Sequence, residues 1–211
     1  MSTPSSVDFF DTQFQRQVQD ESFDLNPFEL IALPLLHGRV IDLGCGLGNL
    51  AISAARQGCS VCALDASPTA IGRIKRVAEQ GALKINATVA DLKNYVIPDE
   101  FDTAVSIGLL MFFDCATARR QLTRLQDCVK PGGLAVINVL IEGTTFLDMF
   151  DAGGHCLFGK NELPQRFSDW DIQHVEHRDF PVPDGRIKAF CTVVARKPTS
   201  GSSTGDRRNS V

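Results

Sequence analysis

Three alternating glycines in Arg39-Val40-Ile41-Asp42-Leu43-Gly44-Cys45-Gly46-Leu47-Gly48-Asn49-Leu50 constrain this chain more than any other stretch. A short β-branched strand runs into a glycine turn and then into an alanine-rich helix, the arrangement that usually holds a nucleotide-type cofactor. Gly44, Gly46 and Gly48 let the backbone turn sharply and leave main-chain N–H groups open to a ligand, with no Cβ in the way. Leu47, Leu50, Ala51, Ala54 and Ala55 then fall on one apolar helix face.

Spacing separates the cofactor classes that use glycine turns. A dinucleotide fingerprint from Gly44 needs glycine at 49, where Asn49 stands, and a P-loop needs Gly-Lys followed by Ser or Thr, which the chain lacks. Asp42, two residues before the first glycine, would repel a pyrophosphate but can meet a cationic ligand, directly or through water. S-adenosylmethionine carries a sulfonium, an ammonium and no phosphate. An ordinary strand-to-helix turn accompanied by chance capping acids is the alternative.

The pattern Asp42-x-Gly44-x-Gly46-x-Gly48 resembles the first motif of the class I S-adenosylmethionine-dependent methyltransferases. Cys62-Ala63-Leu64-Asp65-Ala66-Ser67 then supplies a second strand ending in an acid where that fold binds a ribose diol, and Thr88-Val89-Ala90-Asp91-Leu92 resembles the motif beside the adenine amino group. The resemblance implies a Rossmann-like fold with S-adenosyl-L-methionine held by Asp42, Gly44, Cys45, Gly46, Asn49, Asp65, Ala66, Asp91, Leu92 and Ile107.

Length and composition bound the rest. At 211 residues the chain suits one domain with a substantial core, expected over residues 38–197, after an N-terminal helical segment at 1–37 and before a disordered Ser/Gly/Arg tail at 198–211. A net charge of −4 offers no overall attraction to phosphate, so nucleic acid is not the expected partner. The longest mostly apolar run, Ala104 to Phe113, is too short for a membrane span, and Met1-Ser2-Thr3-Pro4-Ser5-Ser6 has no basic or apolar leader region, so the expected location is cytoplasmic, as monomer or homodimer. Seven cysteines, an odd number without repeated spacing, argue against a closed disulfide framework; Cys59-x-x-Cys62 reads as core or edge thiols because an offset of three in a strand points to opposite faces. Cys156 reads as a buried small residue, with a chalcogen-binding thiol as the alternative.

Along the chain, Phe9, Phe10, Phe14 and Val18 have helical spacing, predicting a short helix over residues 5–22 that covers the core or forms a lid. Asn26-Pro27, Ser67-Pro68 and Asp114 read as helix caps. Ile85-Ala87-Val89, Phe101 to Ile107 and Leu134 to Ile141 read as strands, with a helix striped by Ala118, Leu122, Leu125 and Val129 closed by Lys130-Pro131-Gly132-Gly133. Strands alternating with helices predict an α/β, doubly wound, mostly parallel sheet. Trp170 to Glu176 and Ile187 to Ala195, joined by a short polar link at 181–185, predict a C-terminal antiparallel hairpin.

The segment after the fourth strand lacks an Asp/Asn-Pro-Pro-aromatic block of the nucleobase methyltransferases, and no Asp/His cluster has metal-ligand spacing, so no metal is expected. Met111-Phe112-Phe113, Phe158-Gly159-Lys160-Asn161-Glu162-Leu163, Trp170 and Gly185-Arg186-Ile187-Lys188-Ala189-Phe190 are similar to the TehB-like tellurite-resistance methyltransferases, although Glu142 to Cys156 is longer and richer in Phe and Gly than that family leads one to expect. That resemblance implies catalytic roles for His177, Arg178 and Arg186 on a small-molecule or oxyanion substrate such as tellurite or selenite. Guanidinium groups bind oxyanions through paired N–H donors and stay charged, and a histidine near its ordinary pKa can move a proton. Solvated residues on an edge hairpin, a thiol, thiopurine or other small-molecule acceptor, and a non-catalytic cofactor-binding regulator are the alternatives.

Overall fold

A computed structural model describes residues 6–150 and 154–199, with side chains from residue 10 onward. Phe9, part of the expected N-terminal stripe, and most of the expected tail lie outside the described side chains. Seven strands form one sheet: β1 (Arg39–Leu43), β2 (Ser60–Asp65), β3 (Ile85–Val89), β4 (Phe101–Ile107), β5 (Val129–Leu140), β6 (Asp171–Pro181) and β7 (Ile187–Arg196), in the order β3-β2-β1-β4-β5-β7-β6. The first five are parallel; β7 runs antiparallel between β5 and β6. This is the expected doubly wound sheet with a terminal hairpin.

The central strands are buried on both faces, as parallel strands between helical layers must be. Helices α2 (Pro27–Ala32), α3 (Asn49–Arg56) and α4 (Pro68–Gln80) cover one face, where Ala32, Ala51, Ala54, Ile71 and Ile74 meet Val40, Val61, Val105 and Val136. On the other face α5 (Cys115–Asp127) and α6 (Glu162–Arg166) bring Leu122, Leu125 and Leu163 against Ile41, Leu43, Ala104 and Ile137. The remaining helix, α1 (Ser6–Gln19), lies across the carboxyl edge of the sheet and packs on α4. Among the described residues no helix is long and apolar enough to cross a membrane.

All three expected caps form. Asn26 accepts from the N–H groups of Phe28 and Glu29 while Glu29 receives the N–H of Asn26 at 2.8 Å, a reciprocal capping box. Ser67 caps α4 and Asp114 caps α5, accepting from the N–H groups of Ala70 and Thr117. The fifth strand starts earlier than its apolar run: α5 ends at Asp127, and Val129 already pairs with Phe101. Gly132 and Lys197 exchange main-chain bonds with Lys197 and Gly133, drawing the proline-glycine segment into the ladder.

Cys156 is buried as expected, but it forms a disulfide with Cys115 across 41 residues, so the alternative of a free chalcogen-binding thiol is overturned. Cys45, Cys59, Cys62, Cys128 and Cys191 are free, and the Cys59-x-x-Cys62 pair is unbonded as expected.

The long connection between β3 and β4 is fastened by one buried side chain. Gln121 on α5 donates to the carbonyls of Leu92, Lys93 and Tyr95 at 2.8, 2.9 and 3.2 Å. Gln121→Ala leaves the Leu92 carbonyl without its side-chain partner in a buried setting, while those of Lys93 and Tyr95 keep Arg120 and Arg124 as donors at 3.3 and 2.8 Å, and is expected to cost about 1–3 kcal/mol. Thr123→Ala, on the exposed side of the same helix, should change stability by less than about 0.5 kcal/mol. Urea unfolding of both variants checks the contrast, and equal midpoints would remove Gln121 from this role.

Candidate functional site

The glycine turn builds the site because it brings the chain back over the end of β1 without side chains. Gly44 has φ +81°, and a Cβ there would come within 2.7 Å of Leu109, the residue that follows β4 and one glycine. The N–H groups of Gly44 and Cys45 both point to the carbonyl of Leu64 on the neighbouring strand, at 2.8 and 3.0 Å. Gly48, with φ +76°, is the N-cap of α3 and would drive a Cβ into Ile74. The turn is thus packed from two sides.

A cavity of about 760 Å³ opens at the carboxyl edge of the sheet. All ten residues expected at the cofactor line it: Asp42, Gly44, Cys45, Gly46, Asn49, Asp65, Ala66, Asp91, Leu92 and Ile107. They come from the ends of β1, β2 and β4 and the segment after β3, the position where open α/β sheets hold ligands. Asp65 accepts from the N–H of Gly46 at 2.8 Å and the N–H of Ser67 at 2.9 Å, so the second strand's acid also pins the glycine turn. Asp91 accepts from Asn94 Nδ2 at 2.7 Å and stays exposed at the rim.

The opposite wall comes from the helix expected over residues 5–22 as core cover or lid. Phe10, Gln13, Phe14 and Gln17 of α1 line the cavity, and Phe14 lies over Gly46. Asp11 anchors α1 by accepting from Ser67 and from Thr69 at the start of α4, which holds its carboxyl below the usual range. The Phe10 ring meets Phe112 edge-on at 4.9 Å, and Phe112, Phe113 and Leu109 complete an apolar mouth. The phenylalanine spacing in residues 5–22 was the available signal for this wall. Glu29 gave no signal in the sequence, and it lines the same cavity.

The carboxylates set the electrostatics. Asp42 is buried on β1, and burial, then repulsion from Glu29 and Asp65, pushes its pKa up to about 8. Burial also raises Glu29 and Asp65, in the latter against the N–H groups that hold it ionised. Cys45 is pushed well above the ordinary thiol range by burial and the nearby acids, so it stays a thiol. Five acidic residues line the cavity (Asp24, Glu29, Asp42, Asp65 and Asp91) against one cation, Lys93.

His177, Arg178 and Arg186 are not brought to this cavity. His177 on β6 bonds the carbonyl of Lys160 through Nε2 at 2.9 Å, and Arg178 pairs with Glu176 at 2.7 Å. Arg186 stands at the hairpin turn, held by both oxygens of Asp148 at 2.7 Å and by Asp184. The hairpin turn does lie at the same carboxyl edge, because Phe190 of β7 pairs with Leu140 at the end of β5. Two strand positions, β5 and β7, separate β6 from the strand that ends at Ile107.

Comparison with known proteins fits this geometry. Residues 40–133 match the methyltransferase domain family. The probable S-adenosyl-L-methionine-dependent methyltransferase TehB of Haemophilus influenzae is 25% identical over 166 residues, 75% of this chain and 57% of that protein. The crystal structure of TehB from the same species superposes with a TM-score of 0.73 at 21% identity, covering 91% of this chain and 67% of the other. A ubiquinone biosynthesis O-methyltransferase of Cereibacter sphaeroides is 31% identical over 65% of this chain and 55% of its own length. A structure from a study of the conversion of a disulfide bond into a thioacetal group during echinomycin biosynthesis matches with TM-score 0.62 and 25% identity over 84% of each chain. The chain spans a little over half the length of the curated relatives named here.

The raised Asp42 pKa has a defined sign for stability. The folded, ligand-free chain keeps this proton up to about pH 8, while the unfolded chain releases it near 3.8, so the folded state binds more protons between these values. Stability therefore falls as pH rises from about 4 to about 8. Asp42→Asn should flatten that decline when urea midpoints are measured across the window, and an unchanged slope would mean that Asp42 is ionised in the empty pocket.

Proposed function

We propose that this chain, a member of the class I S-adenosylmethionine-dependent methyltransferases, transfers the methyl group of S-adenosylmethionine to a small, soft sulfur acceptor such as a thiol or thiopurine. The charge of the cavity wall carries this choice of acceptor. With Asp42 holding its proton, the other acids of the lining still outnumber Lys93 and disfavour an oxyanion, and the two arginines suited to one are paired elsewhere with Glu176, Asp148 and Asp184. A thiol can enter in its protonated, neutral form and meets no such barrier on binding. The mouth built from Phe10, Phe14, Leu109, Phe112 and Phe113 favours polarizable sulfur, which packs well on aromatic rings. The echinomycin-pathway relative, whose study concerns a disulfide becoming a thioacetal, adds support from a sulfur-directed reaction.

In this reading the glycine turn and Asp42 hold the methionine end of the cofactor, Asp65 takes the ribose hydroxyls, and Asp91 and Leu92 flank the adenine. Ile107 and Gly108, on the same lining, would help to hold the reacting end of the cofactor toward the mouth under α1. The acceptor thiol, with an ordinary pKa of about 8.5, gives up its proton to water and attacks the methyl carbon in line. A new sulfur–carbon bond forms as the sulfonium–carbon bond breaks, yielding a methyl thioether and S-adenosylhomocysteine. Opposite charges are annihilated in this step, so a dry apolar mouth favours it. The residues here align and exclude water; the reacting pair supplies the chemistry.

An acceptor panel tests the reading. Thiols and thiopurines should be turned over with kcat/KM at least tenfold above tellurite and selenite, and Arg186→Ala should leave thiol turnover within twofold. Preferential methylation of the oxyanions, with loss in Arg186→Ala, would restore the oxyanion reading and the hairpin residues with it. For the cofactor, Asp65→Ala removes one or two hydrogen bonds to a charged acceptor, worth about 1.5–3 kcal/mol each, and should weaken S-adenosylmethionine roughly tenfold or more. Calorimetric titration of a variant shown to be folded by circular dichroism checks this, and an unchanged affinity would take Asp65 out of the ribose site.

A further inference from the structure

We propose that Cys115 and Cys156 are a reversible thiol–disulfide exchange site whose co-reactant is a low-molecular-weight thiol or dithiol, and that its oxidised state fastens the loop after β5 to the acceptor wall. The term acceptor wall rests on the functional reading above; the exchange site itself does not. Cys115 opens α5 directly after Phe112 and Phe113, which line the cavity. Cys156 belongs to the segment that returns from the loop, and its N–H donates to the carbonyl of Met111 at 3.0 Å. The same loop reaches the wall through Phe150, whose ring lies 5.0 Å from Phe112 and stacks on His155 at 4.7 Å.

Apart from these contacts, the loop is tied mainly at its ends. Glu142 and Phe158 exchange main-chain bonds with Phe158 and Leu140, and Thr144 and Thr145 bond to β7 and the residue that opens it. Its middle is held by Asp148 to Arg186, an exposed ion pair of the kind that contributes little. The disulfide is the one covalent tie between the loop and the pocket wall. It is also isolated: the five other cysteines are free thiols, four of them buried, so the fold is not built on a disulfide framework. A single bridge in such a thiol-bearing chain fits exchange chemistry better than a structural role.

Burial of the two residues gives the order of events. Cys156 is buried and Cys115 only half-buried, so an incoming thiolate bonds to the sulfur of Cys115 and expels the sulfur of Cys156, which takes up a proton. A second thiol then attacks the external sulfur of the mixed disulfide and releases Cys115, whose thiolate leaves at the amino end of α5 where the helix favours negative charge. Two electrons pass from two thiols to the protein disulfide, and one external disulfide is produced. Loop and wall are then joined only by non-covalent contacts.

Thiol labelling and hydrogen exchange test this without any methyl transfer. Denatured after air oxidation, the full chain should take up iodoacetamide on five cysteines; after dithiothreitol treatment and desalting it should take it up on seven. Oxidised glutathione should then restore five. Hydrogen exchange at residues 154–158 should quicken at least threefold on reduction and in Cys115→Ser, while S-adenosylmethionine affinity stays within twofold. Should Cys115→Ser fold poorly, the reduced wild type and Cys156→Ser supply the same comparison. Seven labelled cysteines before reduction, no return to five with oxidised glutathione, or unchanged exchange at 154–158 on reduction would each overturn the proposal. A failed acceptor panel with these outcomes intact would touch only the functional reading.

Discussion

A carboxyl group buried without a cationic partner is the constraint around which the site is arranged. Asp42 stands on a central strand, cut off from water, with Glu29 and Asp65 as its charged neighbours, and its pKa is accordingly raised to about 8. An isolated buried carboxylate is costly, and keeping the proton avoids that cost. Positive charge brought beside this group would favour its ionised form. Phosphate-bearing cofactors have no such effect, which ties the absence of a dinucleotide or P-loop pattern to a measurable property of one residue.

Around Asp42 the fold supplies positioning of several kinds. Gly44 and Gly48 admit Leu109 and Ile74 to the turn, Asp65 holds the N–H groups of Gly46 and Ser67, and Gln121 secures the segment that carries Asp91 and Leu92. Asp11 and the Phe10 and Phe14 rings then close the far side. These contacts join parts of the chain that lie far apart in sequence, yet each rests on a short segment whose local conformation is dictated by glycine, cap or strand chemistry. An acidic lining at the glycine turn and an aromatic mouth under α1 share one cavity.

Much of this was legible in the residues because the signals are local. Glycine spacing, acids at strand ends and Asn-Pro or Ser-Pro caps each act within a few positions, and the ten residues that the family resemblance assigned to the cofactor line one cavity. Contacts across the chain were not legible. The Cys115–Cys156 bridge depends on a loop folding back onto the start of α5, which no local spacing encodes. Val129 joins the sheet ahead of its apolar run because Phe101 is there to pair with it. Glu29 closes the capping box of α2, and its place on the cavity wall comes only from packing. The arginines of the hairpin suit an oxyanion by type, but Glu176, Asp148 and Asp184 already occupy them, and partner choice among surface charges leaves no mark in sequence spacing.

The central claim, that a buried proton on Asp42 is exchanged for the positive charge of the cofactor, is tested most directly by counting protons. Titrating S-adenosylmethionine into the protein at about pH 6.5, in buffers of different ionisation enthalpy, measures the number released on binding. The account predicts release approaching one proton in the wild type and near zero in Asp42→Asn. Equal proton release in the two proteins, or none in either, would contradict it.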